Sequence, residues 1–189
     1  TVATATPETP PPSGPAMSGG YQIGPAGVLV RPAEHAASTY TKPELPEEAK
    51  ENTERGAELA AEYLLETLAY AWNTGDTQPF MDVTDPGEEF RETYLKSINN
   101  IYAKGWVYEN NSTITRIVAV EPVTDEKWNA QPNTVGVAFD ATTRNGISCT
   151  GQKIVESTAE YNVALTFFMT WKEGQWILTD GGIDFEPDN

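Results

Sequence analysis

In residues 161–171, YNVALTFFMTW, every second side chain is large and apolar: Tyr161, Val163, Leu165, Phe167, Met169 and Trp171. That spacing fits a β-strand, whose side chains alternate between two faces, and does not fit a helix, whose apolar positions recur at three and four. The strand carries a long buried row, so the chain is organised around a sheet. Lys172-Glu173-Gly174-Gln175 has the composition of a hairpin turn and returns the chain into Trp176, Ile177 and Leu178. Upstream the same period recurs: Val135, Val137, Phe139 and Ala141 share one face, and Ile114, Arg116, Val118 and Val120 share another.

Ahead of these strands the period changes. From Pro46 the pattern predicts a helix, with Pro46 at its start, Glu47, Glu48 and Glu51 near the positive end of its dipole, and Gly75 just past its last apolar residue. Thr53, Ala57, Ala60, Ala61, Leu64, Leu68, Ala71 and Trp72 form its buried stripe, and Glu47, Glu51, Glu54, Glu58, Glu62 and Glu66 its wet one. A second helix is predicted after Asp85-Pro86-Gly87, with Phe90, Tyr94, Ile98, Ile101 and Tyr102 turned inward and Gly105 ending it. Two helices followed by about four strands give an α+β domain in which a curved antiparallel sheet covers the first helix. Each fully buried Leu, Val or Phe in that interface contributes ~1.5–3 kcal/mol of transfer free energy.

The N-terminal quarter is different. Residues 1–20, TVATATPETPPPSGPAMSGG, hold almost nothing to bury and read as a solvated stalk. At ~3.1 Å per residue such a stretch reaches about 60 Å. Residues 21–45 interleave Tyr21, Ile23, Val28, Leu29, Val30 and Tyr40 with Gly24-Pro25 and Arg31-Pro32, which block a long helix or a central strand. They read as an extended strap lying on something, and residues 46–189 as one α+β domain.

Composition narrows the partners. Twelve basic against 28 acidic side chains give a formal charge of −16, a field that repels nucleic acid and anionic membrane surfaces. No run of about 18 or more apolar residues is present, the length a spanning helix needs. The chain opens with Thr, from which a processed or trimmed chain is expected. Its single cysteine, Cys149, has no partner for an internal disulfide.

The run PELPEEAKENTERGAELAAEYLLETLAYAWNTGDTQPF, the helix end IYAKGW and the closing WKEGQWILTDGG resemble an uncharacterised family of actinobacterial lipoproteins known only as a domain of unknown function. The likeness covers residues 43–182. The helix-then-curved-sheet order is similar to the cone-shaped, SnoaL-like fold of nuclear transport factor two and the ketosteroid isomerases. Members of the lipoprotein family carry a signal peptide, a lipidated cysteine and a Thr/Pro/Ser-rich stalk. The resemblance therefore implies a membrane anchor through a lipid upstream of Thr1, and a place on the extracytoplasmic side of the cell membrane. It implies no catalytic residues. Where the family carries a pair of cysteines after the TGD turn, this chain has VTDPGEEFRETY.

Candidate chemistry is sparse. Nucleophilic hydrolysis needs a base beside Ser or Cys, and the only histidine, His35, sits in the strap among Ala and Pro. Cys149 lies in NGISCTG, a turn-like stretch with no local Lys, Arg or His to lower its pKa, and reads as a buried or incidental thiol. A carboxylate base with a phenolic donor would be Asp140 with Tyr161, but alternation turns Asp140 away from the Val137 and Phe139 face. Asp180, Asp184, Glu186 and Asp188 could supply oxygen ligands to calcium, but their spacing matches no EF-hand loop and the stretch reads as an acidic terminus. The tryptophans, chiefly Trp72, Trp106, Trp171 and Trp176, read as core. No metal, cofactor or catalytic group is expected.

What remains is a sheet face of small, partly apolar residues, Ile117, Ala119, Gly136, Ala138, Ala164 and Phe168, which invites a cover: the strap's own apolar residues, a second copy of the domain or another protein. The expectation is a non-catalytic, extracytoplasmic binding or accessory protein. It would dock on a protein partner through Tyr21, Ile23, Val28, Leu29, Val30 and Tyr40 of the strap and Ile117, Ala138, Ala164 and Phe168 of the sheet. The partner would be an integral membrane assembly such as a respiratory complex. The alternative is a small-molecule pocket in the cone, with or without isomerase or dehydratase chemistry.

Overall fold

In a computed structural model the described residues are 20–123 and 129–185, with Phe185 described by its backbone alone. The stalk reading of residues 1–19 and the acidic Glu186 and Asp188 lie outside the described residues, as does Trp128. Three helices, α1 (Glu54–Thr74), α2 (Gln78–Asp82) and α3 (Glu89–Tyr102), precede five strands: β1 (Gly105–Tyr108), β2 (Asn111–Val123), β3 (Thr134–Thr150), β4 (Lys153–Lys172) and β5 (Gln175–Phe185). All strand pairs are antiparallel, and β1 and β2 lie one after the other along the same edge of β3. Helices α1 and α3 cover one face of the sheet, giving the expected α+β cone.

The sheet has one strand more than expected, because the four residues of β1 are too few for alternation to show. β1 and β2 are separated by Glu109, whose φ of 57° turns the edge, and β3 answers with a register shift between Arg144 and Gly146. Gly146 is required there. Its φ is 85°, and a Cβ would lie 2.2 Å from the Tyr108 carbonyl oxygen. Residues 145–150 of NGISCTG are therefore the continuing end of β3, and only Gly151 belongs to the turn into β4.

Strand β2 departs from its sequence pattern for a related reason. Register shifts fall between Ile114 and Arg116 and between Ile117 and Ala119, so each bulge inserts one residue. Ile114, Ile117 and Val120 then all meet the core, Arg116 and Ala119 turn out, and Val118 is 53% exposed. Ile117 does not belong to the outer face on which strict alternation places it.

Helix α1 begins later than expected. Residues Glu47–Lys50 form a single 3-10 turn, and Thr53 is the N-cap, accepting a hydrogen bond from the Gly56 N–H at 2.9 Å. The break is held from the far end of the chain, where the Trp176 indole donates to the Glu51 carbonyl at 2.8 Å. Thr53 is thus a cap and not a member of the buried stripe. From Ala57 to Ala71 that stripe is buried as read, packed on Val137, Phe139, Leu165, Phe167 and Leu178. Helix α3 ends at Tyr102, before Gly105, and starts on the buried carboxylate of Glu88, whose oxygens accept from the N–H groups of Phe90 and Arg91 at 2.9 and 2.8 Å.

The C-terminus of α1 is unusually well satisfied. The Gly75 N–H donates to Ala71 O at 2.8 Å, the Tyr102 hydroxyl to Trp72 O at 2.7 Å, and the Arg31 guanidinium to Asn73 O at 2.5 Å. Gly75 adopts φ 78° there, with the Tyr102 ring where a Cβ would stand. The buried Asn73 side chain points across to the break between β1 and β2. Its Nδ2 donates to Asn110 O at 2.8 Å, and its Oδ1 accepts from the Asn110 N–H at 2.9 Å.

Truncating Asn73 leaves two backbone groups without partners, at about 1–3 kcal/mol each. Asn73→Ala is expected to lower unfolding free energy by ~2–4 kcal/mol in urea titrations; a loss under about 0.5 kcal/mol would show that the pair is dispensable. Burial also holds the carboxyls of Glu62, Glu66 and Glu88 above their usual range, with Glu58 adding to the effect at Glu62. A raised folded pKa means that the folded chain binds the proton more tightly, so this stabilisation is full below the unfolded pKa and is lost as pH rises through the folded one. The thermal midpoint is expected to be higher near about pH 5 than near about pH 7, with Glu88→Gln shrinking the difference. The opposite slope would contradict the assignment.

Candidate functional site

Between α1, α3 and the sheet lies a cavity of about 300 Å³. Leu65, Leu68, Ala69 and Trp72 supply its α1 wall, Tyr94 and Ile101 its α3 wall, and Tyr161, Val163, Leu165 and Ile183 its sheet wall. The walls follow from the periods already described. Leu65, Ala69 and Trp72 recur at three and four on one helical face, while Tyr161, Val163 and Leu165 recur at two on β4. The cavity continues toward the kinked edge, past Val107, Asn110, Ser112, Thr143, Asn145, Gly146, Ser148 and Ser157. This polar end lies beside the break between β1 and β2 at Glu109 and the register shift of β3 at Gly146.

The lining holds no carboxylate, histidine, cysteine, lysine or arginine among the described residues. Asp140 lies on the other face of the sheet, opposite Ala164, with its Oδ2 2.7 Å from the Arg116 guanidinium. The buried carboxylate of Glu88 is spent on the N-terminus of α3 and does not line the cavity. Proton transfer by a side chain needs a base within hydrogen-bond reach of the substrate, and this cavity supplies only neutral donors and acceptors. Two of them are phenols. The Tyr161 hydroxyl donates to Asn145 Oδ1 at 2.6 Å, and burial pushes both phenols above their usual range, Tyr94 further through its proximity to Tyr161. Both are therefore neutral donors at physiological pH.

The strap lies against the opposite side of the sheet, along β1 and the end of β3. Residues 22–30 form a small hairpin in which Val30 N–H donates to Gln22 O at 2.7 Å. Leu29 is 1% exposed and packs with Trp106, Tyr108 and the buried thiol of Cys149. The Leu29 N–H donates to Gly151 O at 2.9 Å, and the Trp106 indole donates to Leu29 O at 2.8 Å. Tyr21 shares a hydroxyl–hydroxyl hydrogen bond of 2.9 Å with Tyr108, and the Tyr40 hydroxyl accepts from the Glu109 N–H at 2.9 Å. Arg31 adds bonds to His35 O and to the Tyr102 hydroxyl, and lies over the Tyr40 ring.

These positions correct part of the docking expectation. Tyr21, Leu29 and Tyr40 are used by the chain's own domain, because burying them there satisfies apolar surface and backbone groups together. Val28 is half-buried, and only Ile23 and Val30, each 44% exposed, face outward among the large apolar strap residues. On the sheet, Ala138, Ala164 and Phe168 are half-buried on the outer face, and the bulges of β2 take Ile117 to the core. His35 is not a free linker residue: its ring stacks on Tyr108 at 4.1 Å with an interplanar angle of 5°. Among the described residues no group of three or more metal-binding side chains forms.

A family profile matches residues 32–181, most of the chain. The chain belongs to that family of unknown function (DUF6318). No curated protein matches this DUF6318 chain. Several solved structures are similar to it in fold. The intermembrane-space region of the chloroplast protein ARC6 is 12% identical, with 71% of this chain and 98% of that one covered at a TM-score of 0.49. A protein described as a putative aromatic ring hydroxylase from Novosphingobium aromaticivorans is 13% identical, with coverage of 71% and 92% and a TM-score of 0.48. An NTF-2-like protein of unknown function from Shewanella oneidensis is 13% identical, with coverage of 66% and 95% and a TM-score of 0.40.

Because Cys149 is sealed beneath Leu29, its alkylation reports strap docking. In Leu29→Asp, iodoacetamide is expected to label Cys149 faster by on the order of thirty-fold, the factor that about 2 kcal/mol of lost burial supplies. Protection of α1 and β4 in hydrogen exchange should persist. Equal labelling of wild type and variant would show that the strap does not guard the thiol.

Proposed function

We propose that this chain is a non-catalytic binding protein whose cone takes up a small, uncharged, largely apolar ligand. The observation that carries the reading is the lining itself: a largely apolar cavity of about 300 Å³ with no ionisable base, nucleophile or metal-binding cluster among the described residues. That volume is about ten waters' worth of liquid, at the lower end for ligand pockets. A charged ligand would be stripped of water with no opposite charge to meet it, and an anion would also face the chain's net charge of −16. Docking of a protein by the strap draws less support, since Leu29, Tyr21 and Tyr40 are committed to the domain. Attachment outside the cell membrane, through a lipid ahead of the stalk, is carried over from the lipoprotein resemblance, and intact-mass measurement of the native protein tests it.

Binding is read from the fluorescence of Trp72, which lines the cavity. Diphenylmethane, apolar and uncharged, is expected to give a saturable change. Ala69→Phe, which fills the α1 wall, should weaken it by roughly ten-fold or more. If no saturable binding occurs, or if Ala69→Phe leaves it unaltered, the cone is not the binding site.

A further inference from the structure

The cavity's polar groups are not equally free. The Ser112 and Thr143 hydroxyls are within 3.1 Å and bond to each other, Asn110 Nδ2 donates to Asn145 O at 3.3 Å, and the Tyr161 hydroxyl is committed to Asn145 Oδ1. Ser148 and Ser157 stand on the projecting ends of β3 and β4. Ser148 and Ser157, like Tyr94, make no side-chain hydrogen bond with the described residues; Tyr94 differs from them in its place on the helix wall. It stands on α3 among the apolar walls, its ring set edge-on to Trp72 at 6.3 Å and packed on Phe90 at 4.7 Å. Its hydroxyl makes no hydrogen bond with the described residues, although it is not cut off from solvent.

We infer that Tyr94 is the specificity-determining residue of the cone, its hydroxyl selecting uncharged ligands that present a carbonyl or comparable oxygen acceptor to the α3 wall. The inference rests on the cone being a binding pocket and adds the chemical class of its ligand. The physical argument is one of unequal demand. A phenol held in a partly desolvated site loses its water when a ligand enters. A hydrocarbon then leaves it unsatisfied, whereas an acceptor of the same shape restores the bond. The rings of Trp72 and Phe90 already hold the phenol, so little rotational freedom is lost in making that bond. The ligand class is thus a neutral molecule of one or two rings bearing a ketone, ester or ether oxygen.

Benzophenone and diphenylmethane differ by the carbonyl oxygen and are close in shape. Affinities of both are measured by calorimetry for wild type and for Tyr94→Phe, which removes only the hydroxyl. The wild-type preference for benzophenone over diphenylmethane is expected to drop about three- to ten-fold in Tyr94→Phe, with diphenylmethane binding unchanged or slightly tighter. The carbonyl stretch of bound benzophenone should also lie lower in wild type than in the variant, a shift that a merely structural Tyr94 would not produce. If both ligands bind but the ratio and the stretch are the same in the two proteins, Tyr94 does not read the acceptor and the pocket reading stands alone. If both lose affinity equally, Tyr94 is structural and the inference fails. If neither binds wild type, the pocket reading falls and takes this inference with it.

Discussion

The side-chain amide of Asn73 bonded to both backbone groups of Asn110 is the contact on which the rest of the site depends. A helix and a strand break meet there, and neither satisfies itself. The last carbonyls of α1 have no intrahelical partner, and the residues between β1 and β2 have left the ladder that runs along β3. Asn73 supplies one donor and one acceptor in the geometry a neighbouring strand would have used. Its own carbonyl is then taken by Arg31 of the strap and the preceding one by Tyr102 of α3. One end of one helix thus ties together the strap, both long helices and the kinked edge of the sheet. The polar end of the cavity is lined by residues of that edge, Asn110, Asn145 and Gly146 among them.

The strap follows from the same shortage. Trp106, Tyr108 and Cys149 pack with the strap, and without that cover they would present an aromatic patch to water. Leu29 fills the patch and its carbonyl satisfies the indole. The hydroxyl of Tyr108, paired with Tyr21 and withdrawn from solvent, is pushed above its ordinary range for that reason. A segment that looks like a hook for another molecule when written as a string is therefore the second layer of the chain's own sheet. The interior, in contrast, is left incompletely filled, with neutral donors around an apolar hollow.

Particular residues show how far the string of amino acids could be read. The row from Tyr161 to Trp171 and the stripe from Ala57 to Ala71 each occupy the face that their period demands, because an unbroken strand or helix keeps its phase. Phase was lost wherever the backbone inserts or turns. In β2 two bulges convert a period of two into a spacing of three and carry Ile117 inward. At Asn145-Gly146 a signal with turn chemistry marks a kink inside a continuing strand. At Glu51 an indole 125 residues away stops a helix that local preference would have begun earlier. Among the cavity residues, Tyr161 and Trp72 stood in readable rows. Asn110 and Asn145 did not, since each lines the cavity only because the strand edge bends beside it.

Sequence by itself determined the class of architecture, the inward faces of its long elements and the outward turn of Asp140. These are properties of composition and of uninterrupted period, which travel with the chain. Tertiary structure alone decided what the strap covers, which face Ile117 joins and that a cavity remains inside, with one phenol that makes no hydrogen bond among the described residues. Those depend on where distant segments satisfy one another's leftover surface and hydrogen bonds, and no local pattern encodes the partner of a group that lies many residues away.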